Sequence, residues 1–244
     1  MEQTVLVRQA IILAAGNGDR FHQASPRSKL LASVGGMPIL AHTLASAAEA
    51  GIADAHIILG YDAERVWAVA CRTAPERLRL IFHYNFRWRE ENGLSLLAAR
   101  PYTSGPFAVM MGDHLFDSAV LRRLLSTPTP EGEALLAVDR GPQSPEFVGE
   151  ATKVRMHGNR VTAVGKGLHP FDALDTGLFI CQPSVFEAAA ESCASGDTTL
   201  TGGIHRLAER GLITGVDIGG AAWCDIDTTD DLETAEQLLC GRAQ

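Results

Sequence analysis

Short apolar runs alternate with segments of helical spacing along the first half of the chain. Four of these runs predict buried β-strands, at residues 8–15, 55–60, 78–83 and 107–112. The segments between them predict helices, at residues 38–50, 62–72 and 94–100. Gly51 is placed to end the first of these helices and Asp62 to open the second. Strands that alternate with crossover helices predict a parallel sheet, which binds ligands at the carboxyl ends of its strands.

The pattern changes after about residue 126, where a Pro- and Thr-rich stretch predicts a surface loop. Residues 150–165 predict a β-hairpin that turns around residues 157–159. Other strands are predicted at residues 134–139, 176–181 and 212–218, with helices at 183–193 and 199–210 and a last helix after Asp227-Thr228. No linker and no internal repeat interrupts this order. We therefore predict one α/β domain over residues 1–244, with a mostly parallel central sheet and a small antiparallel extension.

Composition and charge narrow the range of partners. The 244-residue chain is 46% hydrophobic and 20% charged, as is usual for a globular protein with a sizeable core. Its formal net charge of −8 argues against nucleic acid as the main partner, because phosphate backbones require a basic surface. A small phosphorylated substrate needs only a few local cations and is compatible with that charge.

Cysteine usage and the N-terminus predict a cytoplasmic location. The five cysteines are scattered and form no Cys-x-x-Cys pair: Cys71, Cys181, Cys193, Cys224 and Cys240. An odd number of cysteines without metal-type spacing is typical of reduced cytosolic thiols. The N-terminal stretch contains Glu2 and Arg8 and lacks the layout of a signal peptide. No window approaches the roughly 20 apolar residues of a membrane-spanning helix.

A glycine-rich loop follows the first predicted strand, in the stretch LAAGNGDRF from Leu13 to Phe21. Glycines after a strand let backbone N–H groups approach a phosphate, but the same letters also occur in plain turns. A dinucleotide fold requires a third glycine where this chain has Phe21, and an acid at the end of the second strand, where it has Gly60. Arg20 and Lys29 favour the phosphate interpretation, since both follow the strand and could neutralise a triphosphate.

Carboxylates follow or lie in two other segments that are predicted to be extended. Asp113 stands at the carboxyl end of an apolar strand, where it could hold Mg²⁺ or cap the next turn. Asp225 and Asp227 share one face of the segment WCDIDT, so that one could complete a metal site while the other caps the last helix. We interpret His114, beside Asp113, as a structural hydrogen-bonding residue rather than a base.

Three further groups leave a structural and a functional interpretation open. Asn92 and Ser95 could cap a helix or contact the base of a nucleotide. Glu150 and Lys153 belong to the predicted hairpin, where a lysine is usually solvated. Lys166 stands between two glycines, which is compatible with a reach toward a ligand.

Taken in this order, the motifs resemble those of the nucleotidyltransferases that activate sugar or alcohol phosphates. The signature L-A-A-G-x-G-x-R-[FL] is matched by Leu13 to Phe21, and its downstream lysine by Lys29. A Gly-Asp pair at a strand end is matched by Gly112-Asp113, and W-x-D-x-x-T by Trp223 to Thr228. The likeness covers nearly the whole chain. It implies a Rossmann-like three-layer sandwich of the nucleotide-diphospho-sugar transferase type.

Within this superfamily the chain is most similar to CTP:inositol-1-phosphate cytidylyltransferases. The stretches ENGLSLLAA and MGDHLF and the run from Val148 to Ile180 carry this similarity. Members of that family usually have proline directly before the loop lysine, where this chain has Ser28, with Pro26 further back. Their domain is often fused to a membrane CDP-alcohol transferase. Because this chain ends at Gln244, we expect no membrane segment here, and a homo-oligomer stays open.

The resemblance implies a Mg²⁺-dependent reaction in which the acceptor phosphate attacks the α-phosphorus of an NTP, here CTP, and pyrophosphate leaves. A phosphate monoester has a second pKa of about 6, so the attacking group is already largely dianionic and needs no general base. Catalysis then consists of positioning and charge neutralisation. The implied acceptor is a small phosphorylated alcohol such as inositol 1-phosphate, which would give CDP-inositol.

The resemblance also implies roles for residues of this chain, with none for Asp19. The expected catalytic residues are Arg20, Lys29, Asp113, Lys166 and Asp225. The expected nucleotide contacts are Leu13, Ala14, Ala15, Gly16, Asn17, Gly18, Asn92, Gly93 and Ser95. The expected acceptor contacts are Glu150, Lys166, Asp175 and Thr176, with Lys166 on the phosphate. Mg²⁺ is expected on Asp113 and Asp225, and Asp227 is the alternative ligand.

Several alternatives remain at this point. The acceptor could be another sugar phosphate, a phosphonate or phosphocholine, and the nucleotide another NTP. An NAD-dependent oxidoreductase would explain the early glycine loop, but the missing third glycine and second-strand acid count against it. A non-catalytic nucleotide-binding module is disfavoured because Arg20, Lys29, Asp113 and Asp225 are present together.

Overall fold

The computed structural model describes residues 6–22, 27–141 and 144–242, so Glu2, Pro26 and Gln244 lie outside the described residues. Every strand predicted from the sequence is present. In chain order, the strands are β1 (Gln9–Ala14), β2 (Ser33–Val34), β3 (Met37–Pro38), β4 (Asp54–Leu59), β5 (Arg79–Tyr84), β6 (Phe107–Met111), β7 (His114–Phe116), β8 (Ala134–Asp139), β9 (Lys153–His157), β10 (Arg160–Gly165), β11 (Ala173–Cys181), β12 (Ile213–Asp217) and β13 (Trp223–Asp225).

Every predicted helix is present as well. The helices are α1 (Asp19–His22), α2 (Ile39–Ala50), α3 (Ala63–Thr73), α4 (Gly93–Ala99), α5 (Ser118–Ser126), α6 (Pro145–Glu150), α7 (Ser184–Ala194), α8 (Leu200–Glu209) and α9 (Asp230–Arg242), with 3₁₀ turns at Lys29–Leu31 and Arg100–Tyr102. The four-residue α1 was not predicted from the sequence, and neither were α5 and α6. Their caps are local signals: Asp117 accepts the Ala119 N–H, and Ser144 accepts the Phe147 N–H. No helix in the described part of the chain is long and apolar enough to cross a membrane.

The larger strands form one nine-stranded sheet in the order β5-β4-β1-β6-β11-β8-β12-β10-β9. The pairs β5–β4, β4–β1, β1–β6 and β8–β12 are parallel. Strand β11 runs antiparallel to both β6 and β8, and β10 runs antiparallel to β12 and β9. Most strands therefore point one way, as predicted, and the predicted hairpin β9–β10 forms the antiparallel extension at one edge.

Alternating side chains of the sheet face two separate helical layers. Ile12 of β1 packs into a cluster with Leu44 of α2 and Leu121 of α5. Its neighbour Ile11 packs into a second cluster, with Leu96 of α4 and further side chains of α7 and α8. Successive residues of a strand point to opposite faces, so an apolar run without alternation is what a sheet covered on both faces requires. The structure is the expected three-layer sandwich.

The carboxyl ends of three adjacent parallel strands lie side by side and form the edge that carries the site. The Gly112 N–H after β6 donates to the Leu13 carbonyl of β1 at 3.0 Å, and the Tyr61 N–H after β4 donates to the Ala15 carbonyl at 2.9 Å. Gly60 is required there, because a Cβ at this position would lie 2.6 Å from the Ala15 carbonyl oxygen. The loops that follow β1, β4 and β6 therefore meet at one edge.

Helix boundaries follow the sequence signals with two corrections. Gly51 ends α2 in the left-handed region with φ 100°, as predicted. The prediction that Asp62 caps α3 is wrong: Asp62 has φ 51°, and its side chain makes no cap hydrogen bond. Its carboxylate instead accepts the Ser28 N–H at 3.3 Å, and this contact between distant segments holds the chain ahead of Lys29.

The start of α9 is capped by residues other than those predicted. The Asp231 carboxylate accepts the Thr228 N–H at 2.7 Å, and the Thr228 hydroxyl accepts the Asp231 N–H at 3.4 Å. This reciprocal pair is a capping box, with Asp in the position that Glu or Gln usually takes. Neither Asp225 nor Asp227 is needed for the cap, so both carboxylates are available to the site.

Two neighbouring histidines on parallel strands predict a loss of stability in acid. His56 Nδ1 lies 2.9 Å from His83 Nε2, and the His83 ring stacks on Tyr102. Burial lowers the pKa of both imidazoles; for His83 the neighbouring His56 lowers it further. The folded protein thus binds fewer protons here than the unfolded chain. Stability is full above the ordinary histidine pKa of about 6.5 and falls as the pH drops through it.

We expect the Tm to fall between about pH 7.5 and about pH 5.5, and to fall less steeply in His83→Gln. Differential scanning fluorimetry across this range measures the two slopes. His157→Gln, at an exposed histidine of β9, is the control and should keep the wild-type slope. Equal slopes for wild type and His83→Gln would show that this pair does not cause the acid sensitivity.

Candidate functional site

Lys29 lies at the centre of a cluster of carboxylates at the carboxyl edge of the sheet. Its Nζ is 2.7 Å from Asp113 Oδ2 and 2.7 Å from Asp227 Oδ1, and the residue is only 6% exposed. Burial acts to lower the pKa of this ammonium, but Asp113, Asp225 and Asp227 outweigh it and raise the pKa above its usual range. Lys29 is therefore a permanently charged, buried cation.

Asp113, His114 and Asp225 form the second part of the cluster, because β7 pairs with β13 and places His114 opposite Asp225. His114 Nδ1 is 2.9 Å from Asp113 Oδ1 and 3.5 Å from Asp225 Oδ1. Burial acts to lower the pKa of His114, but the two carboxylates raise it to about 9. For Asp113, burial is outweighed by Lys29 and His114, which hold its pKa below the usual range.

The same three residues offer donor atoms for a metal ion. One potential ligand atom from each of Asp113, His114 and Asp225 lies within 4.8 Å of the others. Asp225 Oδ1 is buried and accepts no hydrogen bond among the described residues; its charged neighbour is His114 Nδ1 at 3.5 Å, and burial raises the pKa of this carboxyl to about 6. A buried carboxylate oxygen without a partner is costly unless a ligand satisfies it. Carboxylate oxygens are also the ligands that Mg²⁺ prefers, so the residues fit this ion.

Arg20 extends the cluster toward the antiparallel part of the sheet. Its guanidinium forms ion pairs with Glu150 at the end of α6 and with Asp227. Burial acts to lower the pKa of Arg20, but Glu150 and Asp227 outweigh it and raise the pKa. The structure thus brings Glu150, Arg20, Lys29 and Asp113 into one network through Asp227, and His114 links Asp225 to it.

The glycine-rich loop packs directly on the lysine. Gly18 has φ 63°, and a Cβ at this position would lie 2.9 Å from Lys29 Cδ, so glycine lets the loop approach the lysine stem. A Cβ at Gly16 would meet no atom within 4 Å, so this residue faces open space. Asn17 donates to the Asp19 carboxylate at 2.6 Å, which gives Asp19 a local role that sequence alone did not show. The expected contacts Leu13, Ala14 and Ala15 are buried at the end of β1 and in the residue after it.

The predicted base contacts Asn92, Gly93 and Ser95 join α4 to neighbouring elements. Asn92 does not cap α4, contrary to one of the two interpretations; its Oδ1 accepts the Leu200 N–H of α8 at 2.8 Å. The buried Ser95 hydroxyl accepts a hydrogen bond from the Asn85 amide at 3.0 Å. Gly93 abuts the Thr198 carbonyl, which would lie 2.5 Å from a Cβ. These contacts give all three residues a structural role.

We expect Gly93→Ala to destabilise the fold by about 2 kcal/mol, because the backbone of the α8 loop must move to admit a methyl group. Chemical denaturation with urea measures this difference. Gly167→Ala is the matched control, since a Cβ there meets nothing within 4 Å, and it should leave the unfolding midpoint unchanged. An unchanged midpoint for Gly93→Ala would contradict the packing described here.

The four predicted acceptor contacts differ in their burial and in their hydrogen-bond partners. Asp175 accepts the Gly177 N–H at 2.8 Å, and burial raises its pKa to about 6. The buried Thr176 hydroxyl donates to the Ala137 carbonyl at 3.0 Å and is already satisfied. Lys166 is exposed after β10 and makes no hydrogen bond or ion pair with another residue in the described ranges. Only Glu150 contacts the Arg20 network directly.

Three residues near this edge were given no part in the site from the sequence. His114 contacts Asp113 at 2.9 Å, in agreement with its interpretation as a structural hydrogen-bonding residue, and it also lies among the groups that could hold a metal ion. The buried Asp139 carboxylate accepts the Trp223 indole N–H at 2.8 Å. The buried Lys153 ammonium donates to the Gly149 carbonyl at 3.1 Å. Asp139 could have been noticed from the sequence, because it is an acid at the end of the apolar run ALLAVD. No local pattern distinguished Lys153 from a solvated lysine.

A glycine loop, two cations and clustered carboxylates at the carboxyl edge of a three-layer α/β sandwich define the class of NTP-binding transferases. The chain belongs to the MobA-like NTP transferase domain family, whose model matches residues 10–199. This membership confirms the nucleotidyltransferase class that the motifs predict.

The chain is also similar in sequence to two curated proteins and in fold to a solved structure. The chain is 35% identical over 237 residues to the Bifunctional IPC transferase and DIPP synthase of Rubrobacter xylanophilus, which covers 96% of this chain and 52% of that protein. The protein of the same name from Aquifex aeolicus is 31% identical over 235 residues, with 96% and 52% covered. The chain thus spans about half the length of these curated relatives. The fold matches the inositol-1-phosphate CTP transferase of T. maritima with a TM-score of 0.84 at 22% identity, over 96% of both chains.

Proposed function

We propose that this chain transfers a cytidylyl group from CTP to inositol 1-phosphate, releasing pyrophosphate and forming CDP-inositol. The observation that carries the proposal is the buried Lys29, held between Asp113 and Asp227 beside an open glycine loop. The curated relatives named as IPC transferases support the choice of substrates. We treat residues 1–244 as one catalytic unit in this proposal. The cytoplasmic location and a homo-oligomeric state stay predictions.

The proposed reaction is an in-line displacement at phosphorus. An oxygen of the acceptor phosphate forms a bond to the α-phosphorus of CTP, and the bond from that phosphorus to the bridging oxygen of the β-phosphate breaks. Pyrophosphate leaves with the electron pair of the broken bond. Because the acceptor phosphate is already dianionic near neutral pH, no side chain has to remove a proton. Charge neutralisation and alignment are then the tasks of the protein.

The cations of the cluster would exchange their carboxylate partners for phosphate oxygens. Lys29 would neutralise the α-phosphate and the departing pyrophosphate, and Arg20 would hold the β- and γ-phosphates. The backbone of residues 14–18 would approach the triphosphate at the open face of Gly16. Lys166 would bind the acceptor phosphate, while Glu150, Asp175 and Thr176 would line the acceptor side. Release of Arg20 by Glu150 would be part of substrate binding, since the two are paired in the free protein.

Asp113 and Asp225 would hold Mg²⁺, with Asp225 Oδ1, which is buried and accepts no hydrogen bond among the described residues, as the strongest indication. Asp227 is the alternative ligand: Lys29 and Arg20 engage its two oxygens, as Lys29 and His114 engage those of Asp113. When bound, the ion would offset negative charge on the phosphates of the nucleotide. Asp113 and Asp225 also act without the ion: both carboxylates raise the pKa of Lys29 and of His114 and so favour their charged forms.

A pyrophosphate-release assay tests the proposal. CTP, UTP, GTP and ATP are each combined with inositol 1-phosphate, a hexose 1-phosphate, phosphocholine and an aminoalkylphosphonate in the presence of Mg²⁺. The expected result is release with CTP and inositol 1-phosphate well above every other pair. Release with a different pair would overturn the proposed substrates but keep the transfer reaction, and no release with any pair would overturn the transfer reaction itself.

We expect Gly16→Ala to leave the unfolding free energy unchanged and to raise the KM for CTP roughly tenfold, because a methyl group would stand between the backbone and the triphosphate. Initial rates at varied CTP, with denaturation curves alongside, separate the two effects. Gly149→Ala, another position where a Cβ meets nothing within 4 Å, is the control and should keep both values. A normal KM in Gly16→Ala would place the nucleotide elsewhere.

A further inference from the structure

A cavity of about 350 Å³ lies beside α3, outside the cluster described above. Its volume is at the lower end of the range for small-molecule sites. It is lined by Arg27, Leu31, Pro38, Arg65, Ala68, Val69 and Arg72. No acidic residue is among the described residues that line it, and Lys29, Asp113 and Asp225 do not contribute to it. We call it the α3 cavity.

Three arginines from two segments line the α3 cavity. Arg65 and Arg72 are seven residues apart, which places them on the same face of α3 about two turns from each other. Arg27 comes from the segment just before Lys29. In a chain with a net charge of −8, several cations around one cavity are unusual, because like charges repel one another unless an anion lies between them.

The described contacts of Arg65 and Arg72 compensate the charge of these two residues only in part. Arg65 Nη1 lies 3.4 Å from Asp62 Oδ1, and the Arg65 side chain is 64% exposed, so this pair is weak. Arg72 makes no hydrogen bond or ion pair with any other residue that the structure describes. The apolar residues Leu31, Pro38 and Val69 line the same cavity, and we call them its apolar floor. The cavity therefore combines donors for an oxyanion with a surface for a compact apolar body.

We propose that the α3 cavity binds a small phosphate-type oxyanion, either free or carried on a compact organic body. Planar guanidinium groups bind the oxygens of such anions in pairs, which makes arginine suited to this task. A free anion would contact the arginines alone. An organic phosphate would in addition cover the apolar floor.

The α3 cavity is also linked to Lys29 through Asp62. One oxygen of this carboxylate accepts from Arg65 at 3.4 Å, and the other accepts the Ser28 N–H at 3.3 Å, directly before Lys29. An anion that draws Arg65 into the cavity would leave Asp62 with Ser28 as its main partner. The segment that carries Lys29 would then be held more firmly, and the KM for CTP would fall. This link rests on the proposed function, whereas binding of the anion does not.

Isothermal titration calorimetry with inorganic pyrophosphate, phosphate and CMP tests the binding. The measurements use Lys29→Met in EDTA, so that the triphosphate site is impaired and divalent ions are removed. We expect binding to remain in this protein and to weaken at least tenfold when Arg65→Ala and Arg72→Ala are added. The control adds Arg206→Ala and Arg210→Ala instead, at two ion-paired arginines on the other face of the sheet, and should retain binding.

Two results would overturn the proposed anion site, provided that the Tm values show folded proteins. One is an equal affinity in the variant with Arg65→Ala and Arg72→Ala and in the control variant; the other is no binding to Lys29→Met. Tighter binding of CMP than of phosphate and pyrophosphate would identify an organic phosphate, and the reverse order a free anion.

The link to Lys29 is tested by the KM for CTP with and without low concentrations of phosphate. We expect phosphate to lower this KM about fivefold in the wild type and not in the protein with Arg65→Ala and Arg72→Ala. Simple competition at the triphosphate site would raise the KM in both proteins and would overturn the link. A protein without any turnover would overturn the proposed function, and the calorimetry would still decide the binding.

Discussion

Replacing Asp113 by asparagine is expected to reduce pyrophosphate release by roughly a thousandfold while leaving the protein folded. Asparagine keeps the size of the side chain and removes its charge. The change takes away one of two carboxylates that contact Lys29 and one of the acids that keep His114 protonated. It also removes a carboxylate oxygen from the group that fits Mg²⁺.

Steady-state rates at saturating CTP and acceptor measure this effect, with circular dichroism as the check on folding. Asp117→Asn is the matched control: Asp117 lies four residues further along the chain and accepts the Ala119 N–H at the start of α5. It should keep a rate close to that of the wild type. A folded Asp113→Asn protein with a near-normal rate would exclude this carboxylate from the chemistry.

Lys29→Met is expected to lower kcat/KM by a factor of roughly 10²–10³, because a preorganised buried cation is lost where negative charge develops on the leaving pyrophosphate. Methionine keeps much of the aliphatic stem that packs against Gly18. The loss should fall mainly on kcat, since charge on the bridging oxygen increases between the bound substrate and the transition state.

The matched control is Lys153→Met, which removes another buried ammonium, on β9, that donates only to the Gly149 carbonyl among the contacts described. It should cost stability without a comparable loss of kcat. Lys29→Met and Lys153→Met proteins with equal kcat values would mean that Lys29 only stabilises the fold.

The elements of the fold follow from local signals in the sequence. The apolar runs that become β1, β4 and β6 lack alternation because helices cover both faces of the sheet, and this feature is visible without any tertiary information. Gly51 ends α2 because a left-handed residue is needed there. Strands β7 and β13 have three residues each, which is too few to show the two-residue alternation of a β-strand in the sequence. Their pairing nevertheless sets His114 opposite Asp225.

Most residues of the carboxylate cluster around Lys29 could be named as candidates from the sequence, but the contacts between them could not. The contact between Lys29 and Asp227 joins residues 198 positions apart, and no local pattern specifies it. Asp62 looked like a helix cap because its position before α3 matches that signal, yet its carboxylate is used by Ser28. Asn92 and Ser95 sit at the start of α4 as expected, and their polar atoms bind neighbouring segments that only the folded chain brings close.

Transfer of a nucleotidyl group to an intact phosphate monoester can be followed with the label of α-³²P CTP. The reaction contains the full chain, Mg²⁺ and inositol 1-phosphate, and its products are separated by anion-exchange chromatography. We expect the label to enter CDP-inositol while an equal amount of unlabelled pyrophosphate is released. Label that stays in CTP, or that appears only in CMP, would contradict the proposed transfer.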